Sequence, residues 1–276
     1  MKKLCIYHGN CADGFGSAIV VRQWFGNDHV DFYPGVYGNT PPDVTDRDVI
    51  LVDFSYKRDV LLQMATSAKS ILILDHHQSA EAELVDLPDN VDVHFDMERS
   101  GVMMAWDHYF PEETPPQLFL HIQDRDLWQF KLEGTREIQA CLFSYPYEFE
   151  VWEQLIYDIK VETLREDGAA IERKHHKDVK ELIEAAAYRT TIAGHDVPVL
   201  NAPYFYSSDA GHVMSQTESF AACYWDTPEA RVFSLRSAND GADVSKIAEL
   251  FGGGGHKHAA GFRLNHDSLQ KLASGC

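Results

Sequence analysis

Apolar positions in the first part of the chain come in short unbroken runs: Leu4-Cys5-Ile6-Tyr7, Val49-Ile50-Leu51-Val52 and Ile71-Leu72-Ile73-Leu74. Four apolar residues in a row, with no polar interruption, suit a strand covered on both faces, as in a parallel sheet. Between the runs the period lengthens to that of helices. Residues 14–25, 57–68 and 100–110 read as helices, the first closed near Gly26-Asn27, and Val30-Asp31-Phe32-Tyr33 and Val91-Asp92-Val93-His94-Phe95 as two shorter strands. This β-α-β repetition predicts an α/β domain with a parallel sheet over residues 1–147.

The polar residues that end the runs carry the chemistry. The first runs into His8 with Asp13 just beyond, the second into Asp53, and the third into Asp75-His76-His77. Parallel strands present their C-terminal ends on one edge, where open α/β sheets bind ligands. Mixed imidazole and carboxylate donors suit a borderline divalent ion such as Mn²⁺, Zn²⁺ or Fe²⁺ better than Ca²⁺, which prefers oxygen alone.

Residues 148–187 change character: charged side chains alternate with Leu, Ile, Val and Ala at helical spacing, so one or two helices are expected to link two lobes. His175 and His176 fall here and read as part of a solvated face. Residues 188–276 are expected to form a smaller α/β domain, with strands near 189–192, 197–200, 220–225 and 232–235 and a helix over 244–251. Gly252-Gly253-Gly254-Gly255-His256 follows that helix. Four glycines exceed the need of a helix stop, and their backbone N–H groups could form an anion nest with His256 and Lys257 at its mouth.

Bulk properties narrow the function. A chain of 276 residues has room for two domains, no apolar stretch reaches 18 residues, and Met1-Lys2-Lys3-Leu4 enters a strand directly, so a cytoplasmic protein with no membrane partner is expected. The five cysteines, Cys5, Cys11, Cys141, Cys223 and Cys276, are scattered and are read as thiols. With 43 acidic against 24 basic residues the net charge is −19, which argues against tracking a long phosphate backbone and leaves small phosphorylated ligands compatible.

In order along the chain, His8-Gly9-Asn10-Cys11-Ala12-Asp13-Gly14, Asp53, Asp75-His76-His77, Asp124 and the glycine-rich 252–262 segment resemble the motifs of the DHH phosphoesterases that carry a DHHA1 domain, over almost the whole length. The resemblance implies an N-terminal DHH domain holding one or two Mn²⁺-type ions, with Mg²⁺, Co²⁺ or Fe²⁺ as alternatives, and a C-terminal DHHA1 domain that binds substrate. It implies His8 as ligand of one ion, Asp13, His76 and Asp124 of the other, and Asp53 as their bridge. Asp126 is the fallback for Asp124. Asp75 would orient an imidazole and His77 would meet the phosphate, as catalytic residues with Asp53. Substrate contacts are expected from Gly253, Gly254, Gly255, His256, Arg236, Ser237 and the Ser100-Gly101 helix start, whose N–H groups suit phosphate. One position departs from the pattern: Cys11 stands where many relatives carry a carboxylate, which puts a softer donor beside His8.

The implied activity is water-driven hydrolysis of short linear nucleotides such as pGpG and pApA. Alternatives are a cyclic dinucleotide phosphodiesterase, a 3′,5′-bisphosphate nucleotidase, a pyrophosphatase, a RecJ-like exonuclease or a non-catalytic nucleotide sensor. Monomer and homodimer both remain open.

Overall fold

The computed structural model describes residues 2–272, so Cys276 lies outside the described residues. Contacts along the chain divide it into two compact units, up to Arg173 and from Lys174 onward.

The first unit alternates strands and helices: β1 (Lys3–His8), α1 (Ala12–Phe25), β2 (Val30–Gly35), β3 (Asp48–Val52), α2 (Arg58–Ala65), β4 (Ser70–Asp75), α3 (Gln78–Glu83) and β5 (Val91–Phe95), then α4 (Gly101–Tyr109), α5 (Gln117–Asp126), α6 (Thr135–Leu142), α7 (Phe149–Tyr157) and α8 (Val161–Ala186), which continues into the second unit. The sheet runs β2-β1-β3-β4-β5, and every pairing is parallel.

The unbroken apolar runs follow from this arrangement. Side chains alternate across a strand, so Leu4, Ile6, Val49, Leu51, Ile71 and Ile73 fall into one buried cluster with Leu61 and Met64 of α2. Their neighbours Cys5, Ile50, Val52 and Leu74 fall into another, with Phe15 and Ile19 of α1 and with α4 to α7. Both faces are covered, which leaves the strand ends as the route from core to solvent.

The second unit contains β6 (Tyr188–Ile192), β7 (His195–Asn201), α9 (Ser207–Ser215), β8 (Ala221–Asp226), β9 (Ala230–Arg236), α10 (Val244–Glu249), β10 (Gly254–His256) and β11 (Ala259–Asn265). Its sheet runs β10-β11-β9-β8-β7-β6, antiparallel except for the parallel β7–β8 pair. His176 is exposed, whereas His175 is half-buried. Its Nε2 lies 2.9 Å from Asp209 on α9 and its ring stacks on Tyr206. Among the described residues no helix is long and apolar enough to cross a membrane.

Candidate metal centre

The C-terminal ends of β1, β3 and β4 bring His8, Asp53 and Asp75-His76-His77 to one edge of the first sheet. The turn after β1 passes through Asn10, in the left-handed region at φ 55°, and enters α1 at Ala12, so Asp13 sits in its first turn. Gly14 makes that turn possible, because a Cβ there would lie 2.4 Å from the His8 carbonyl oxygen. Asp53 is itself left-handed at φ 54°, a region that aspartate tolerates better than most residues.

Four side chains converge. His76 Nε2 lies 3.1 Å from Asp53 Oδ1, 3.4 Å from Asp126 Oδ2 and 3.5 Å from Asp13 Oδ2. The other Asp53 oxygen, Oδ2, lies 3.3 Å from His8 Nδ1 without hydrogen-bond geometry and is otherwise an unpaired buried acceptor. Asp13, Asp53, Asp75 and His76 are almost fully buried. Asp13 is anchored by N–H groups at the start of α4, accepting from Gly101 and, at 2.9 Å, from Val102. Gly101 allows this approach, since a Cβ there would come within 2.4 Å of Asp53 Cβ. The N–H groups that the sequence assigns to a phosphate therefore hold Asp13 instead. Ser100 Oγ is buried with no hydrogen-bond partner among the described residues.

Electrostatics are dominated by crowding of like charges. Burial, then the neighbouring Asp53 and Asp126, pushes the Asp13 carboxyl well above its usual range. Burial, with Asp53 adding to it, also raises Asp126. For Asp53 burial acts upward too, but the imidazoles of His76 and His8 outweigh it and hold the group well below the usual range. Burial disfavours the charged form of His76, yet Asp126, Asp53 and Asp13 raise its pKa well above the ordinary value. Carboxylates packed this closely either hold a proton or are offset by a cation between them. The donor atoms of Asp13, His76 and Asp126 lie within 4.8 Å of one another, as do those of His8, Cys11 and Asp53. Together with the unpaired Asp53 oxygen, the donor set fits divalent metal.

The neighbouring Asp75 is satisfied by protein. It accepts from Ser55 Oγ at 2.5 Å and from the His76 N–H at 2.8 Å, and its Oδ1 lies 2.6 Å from His77 Nδ1. That arrangement fixes the His77 ring, 5.0 Å from that of His76 and 5.7 Å from that of His8.

Asp124 is placed elsewhere. Its carboxylate accepts from the N–H groups of Lys131 at 2.8 Å and Leu132 at 3.0 Å and from Thr135 Oγ1 at 2.6 Å, closing the loop after α5. Two residues on a helix differ by about 200° around its axis, so α5 can turn only one of Asp124 and Asp126 toward the sheet edge. It turns Asp126.

In the second unit Arg236 ends β9, and its guanidinium donates to Ser234 Oγ, the Leu235 carbonyl and Ser208 Oγ at 2.7–3.0 Å. Ser237 Oγ donates to the Ala242 carbonyl and lies 3.0 Å from His258 Nδ1. The glycine run is not an open nest. The N–H groups of Gly252 and Gly253 donate to the Glu249 and Ala248 carbonyls, and Gly254, Gly255 and His256 form the edge strand β10. The antiparallel partner of Gly254 and Gly255 is β11 (Ala259–Asn265).

The fold is similar to that of DHH-domain structures, with Asp75-His76-His77 at the end of β4. By sequence the chain belongs to the family of the uncharacterized protein R106 of Acanthamoeba polyphaga mimivirus, with 30% identity over 283 aligned positions covering 94% of this chain and 67% of that protein. No protein-family model matches it. Solved structures with this fold include the DHH domain of a member of a ribosomal-protein family (TM-score 0.62, 14% identity, 99% of this chain and 85% of that one). The pGpG-specific phosphodiesterase PggH of Vibrio cholerae is similar at TM-score 0.51 and 14% identity, over 99% and 96% of the two chains. RecJ of Thermus thermophilus, in complex with Mn²⁺, is similar at TM-score 0.54 and 12% identity, over 99% of this chain and 51% of that one.

Proposed function

We propose that the protein is a metal-dependent phosphoesterase that hydrolyses short linear nucleotides, 5′-phosphorylated dinucleotides such as pGpG and pApA, to mononucleotides. The observation that carries this reading is the two-sided placement of Asp53, with Oδ1 3.1 Å from His76 and Oδ2 3.3 Å from His8. Asp53 would contribute to holding two ions, one on its His76 side and one on its His8 side. Asp13, His76 and Asp126 complete one position and His8 serves the other. Mn²⁺ is the ion assigned to the Asp13-His76-Asp126 position, in line with the manganese complex of the RecJ that shares the fold. When bound, the ions supply Lewis-acid polarisation of a phosphoryl oxygen and make water acidic enough to serve as nucleophile near neutral pH.

The chain's own groups do the rest. Asp75 takes the Nδ1–H of His77 and fixes the ring, and His77 is assigned to meet a phosphoryl oxygen as charge grows on it. Asp13 is held in place by α4, so the carboxylates do not reorganise as the reaction proceeds. A fold shared with a pGpG-specific phosphodiesterase makes linear dinucleotides the first substrates to test.

The test is a panel of pGpG, pApA, cyclic dinucleotides, 3′,5′-bisphosphorylated adenosine and pyrophosphate, with Mn²⁺ and after chelation. Mn²⁺-dependent release of mononucleotides from pGpG or pApA is expected. Turnover confined to pyrophosphate or the bisphosphate would contradict the substrate assignment, and absence of turnover from metal-loaded protein would contradict the enzymatic one.

A further inference from the structure

Cys11 has no role in the chemistry above, yet it belongs to the centre. It occupies the N-cap position of α1, where Asp, Asn or Ser would bond the first turn better than a thiol does. Its Sγ, a His8 nitrogen and an Asp53 oxygen lie within 4.8 Å of one another. The nearest Asp53 oxygen to His8 is Oδ2, the buried acceptor without a hydrogen-bond partner, so an unsatisfied carboxylate oxygen faces this position. Cys5, Cys141 and Cys223 are buried, and none of them belongs to such a donor group among the described residues. On the other side of Asp53, the grouped donors Asp13, His76 and Asp126 offer only oxygen and nitrogen.

We propose that the two metal positions are chemically unequal: His8, Cys11 and Asp53 form a thiolate-bearing position that selects a thiophilic ion such as Zn²⁺ or Co²⁺, while Asp13, Asp53, His76 and Asp126 form a harder position suited to Mn²⁺. Thiolate favours soft and borderline ions, carboxylate favours hard ones, and a carboxylate shared between them holds both. On binding, the Sγ–H bond breaks, an Sγ–metal bond forms and the proton leaves to solvent. The centre would then be heterobinuclear. This inference rests on the metal-centre reading above.

Metal-free full-length protein titrated with Co²⁺ tests it by absorption, independently of turnover. Two Co²⁺ per chain are expected, with a near-ultraviolet thiolate-to-Co²⁺ charge-transfer band that develops with one of them. Cys11→Ser is expected to lose the band while keeping the other ion, and Cys11→Asp to lose the band while keeping both. After exchange of Zn²⁺-loaded protein into excess Mn²⁺, wild type should retain one Zn²⁺ per chain and Cys11→Asp should not. Two bound Co²⁺ without the band in wild type, or a band that survives in Cys11→Ser, would overturn the thiolate position while leaving the centre intact. Failure of Co²⁺ to bind, or binding unchanged by Asp53→Asn, would remove the centre itself and this inference with it.

Discussion

Asp53 joins the two halves of the centre, and it does so from a backbone conformation that asparagine also tolerates. Asp53→Asn therefore keeps size and φ preference while removing the charge. It should leave the circular dichroism spectrum of the metal-free protein near wild type and reduce turnover by more than the roughly 10–100-fold typical of losing an outer-shell partner. A second pair separates two carboxylates on one helix. Asp126→Ala should weaken metal binding without destabilising the metal-free protein, because it removes one of three crowded carboxylates. Asp124→Ala should do the reverse: two N–H groups and a hydroxyl lose their acceptor, at about 1–3 kcal/mol each if left unsatisfied, while metal still binds. Calorimetric metal titration and thermal unfolding of the two variants distinguish these outcomes.

Elements bring these residues together through close approach, and α4 does most of it. Its first N–H groups anchor Asp13 and its first residue, Gly101, packs on Asp53. Gly101→Ala should push α4 away from β3, release Asp13 and abolish tight metal binding, with helical content by circular dichroism close to wild type. The elements that deliver the clustered side chains were the legible ones. Three unbroken apolar runs identified β1, β3 and β4, and their polar ends named His8, Asp13, Asp53 and His76. What escaped depends on partners distant in the chain. The periodicity of α5 does not say which of its faces meets the sheet edge, so order and spacing favoured Asp124, whereas packing turns Asp126 inward. The Ser100-Gly101 start looked available to phosphate because its partner, Asp13, lies 88 residues earlier. The glycine run looked open because β11, which pairs with it, begins only after His258. Gly14 and Gly101, each beside a site residue, were signals that could have been read as contacts.

At the scale of the whole molecule, charge and substrate belong together. The net charge of −19 includes a cluster of buried carboxylates that a divalent pair would offset. Chelation should therefore lower the melting temperature and Mn²⁺ should restore it, by linkage of binding to folding. A net charge of −19 argues against tracking a long phosphate backbone and so supports the short ligand proposed above. The most direct measurement is initial rate against substrate length, from two to twenty nucleotides, at constant salt with saturating Mn²⁺. Dinucleotides should be cleaved fastest, with rates falling steeply as the chain lengthens and no turnover after chelation. Rates that stay level or rise with length would contradict the short-substrate account in favour of a RecJ-like exonuclease, and turnover that survives chelation would contradict the metal centre.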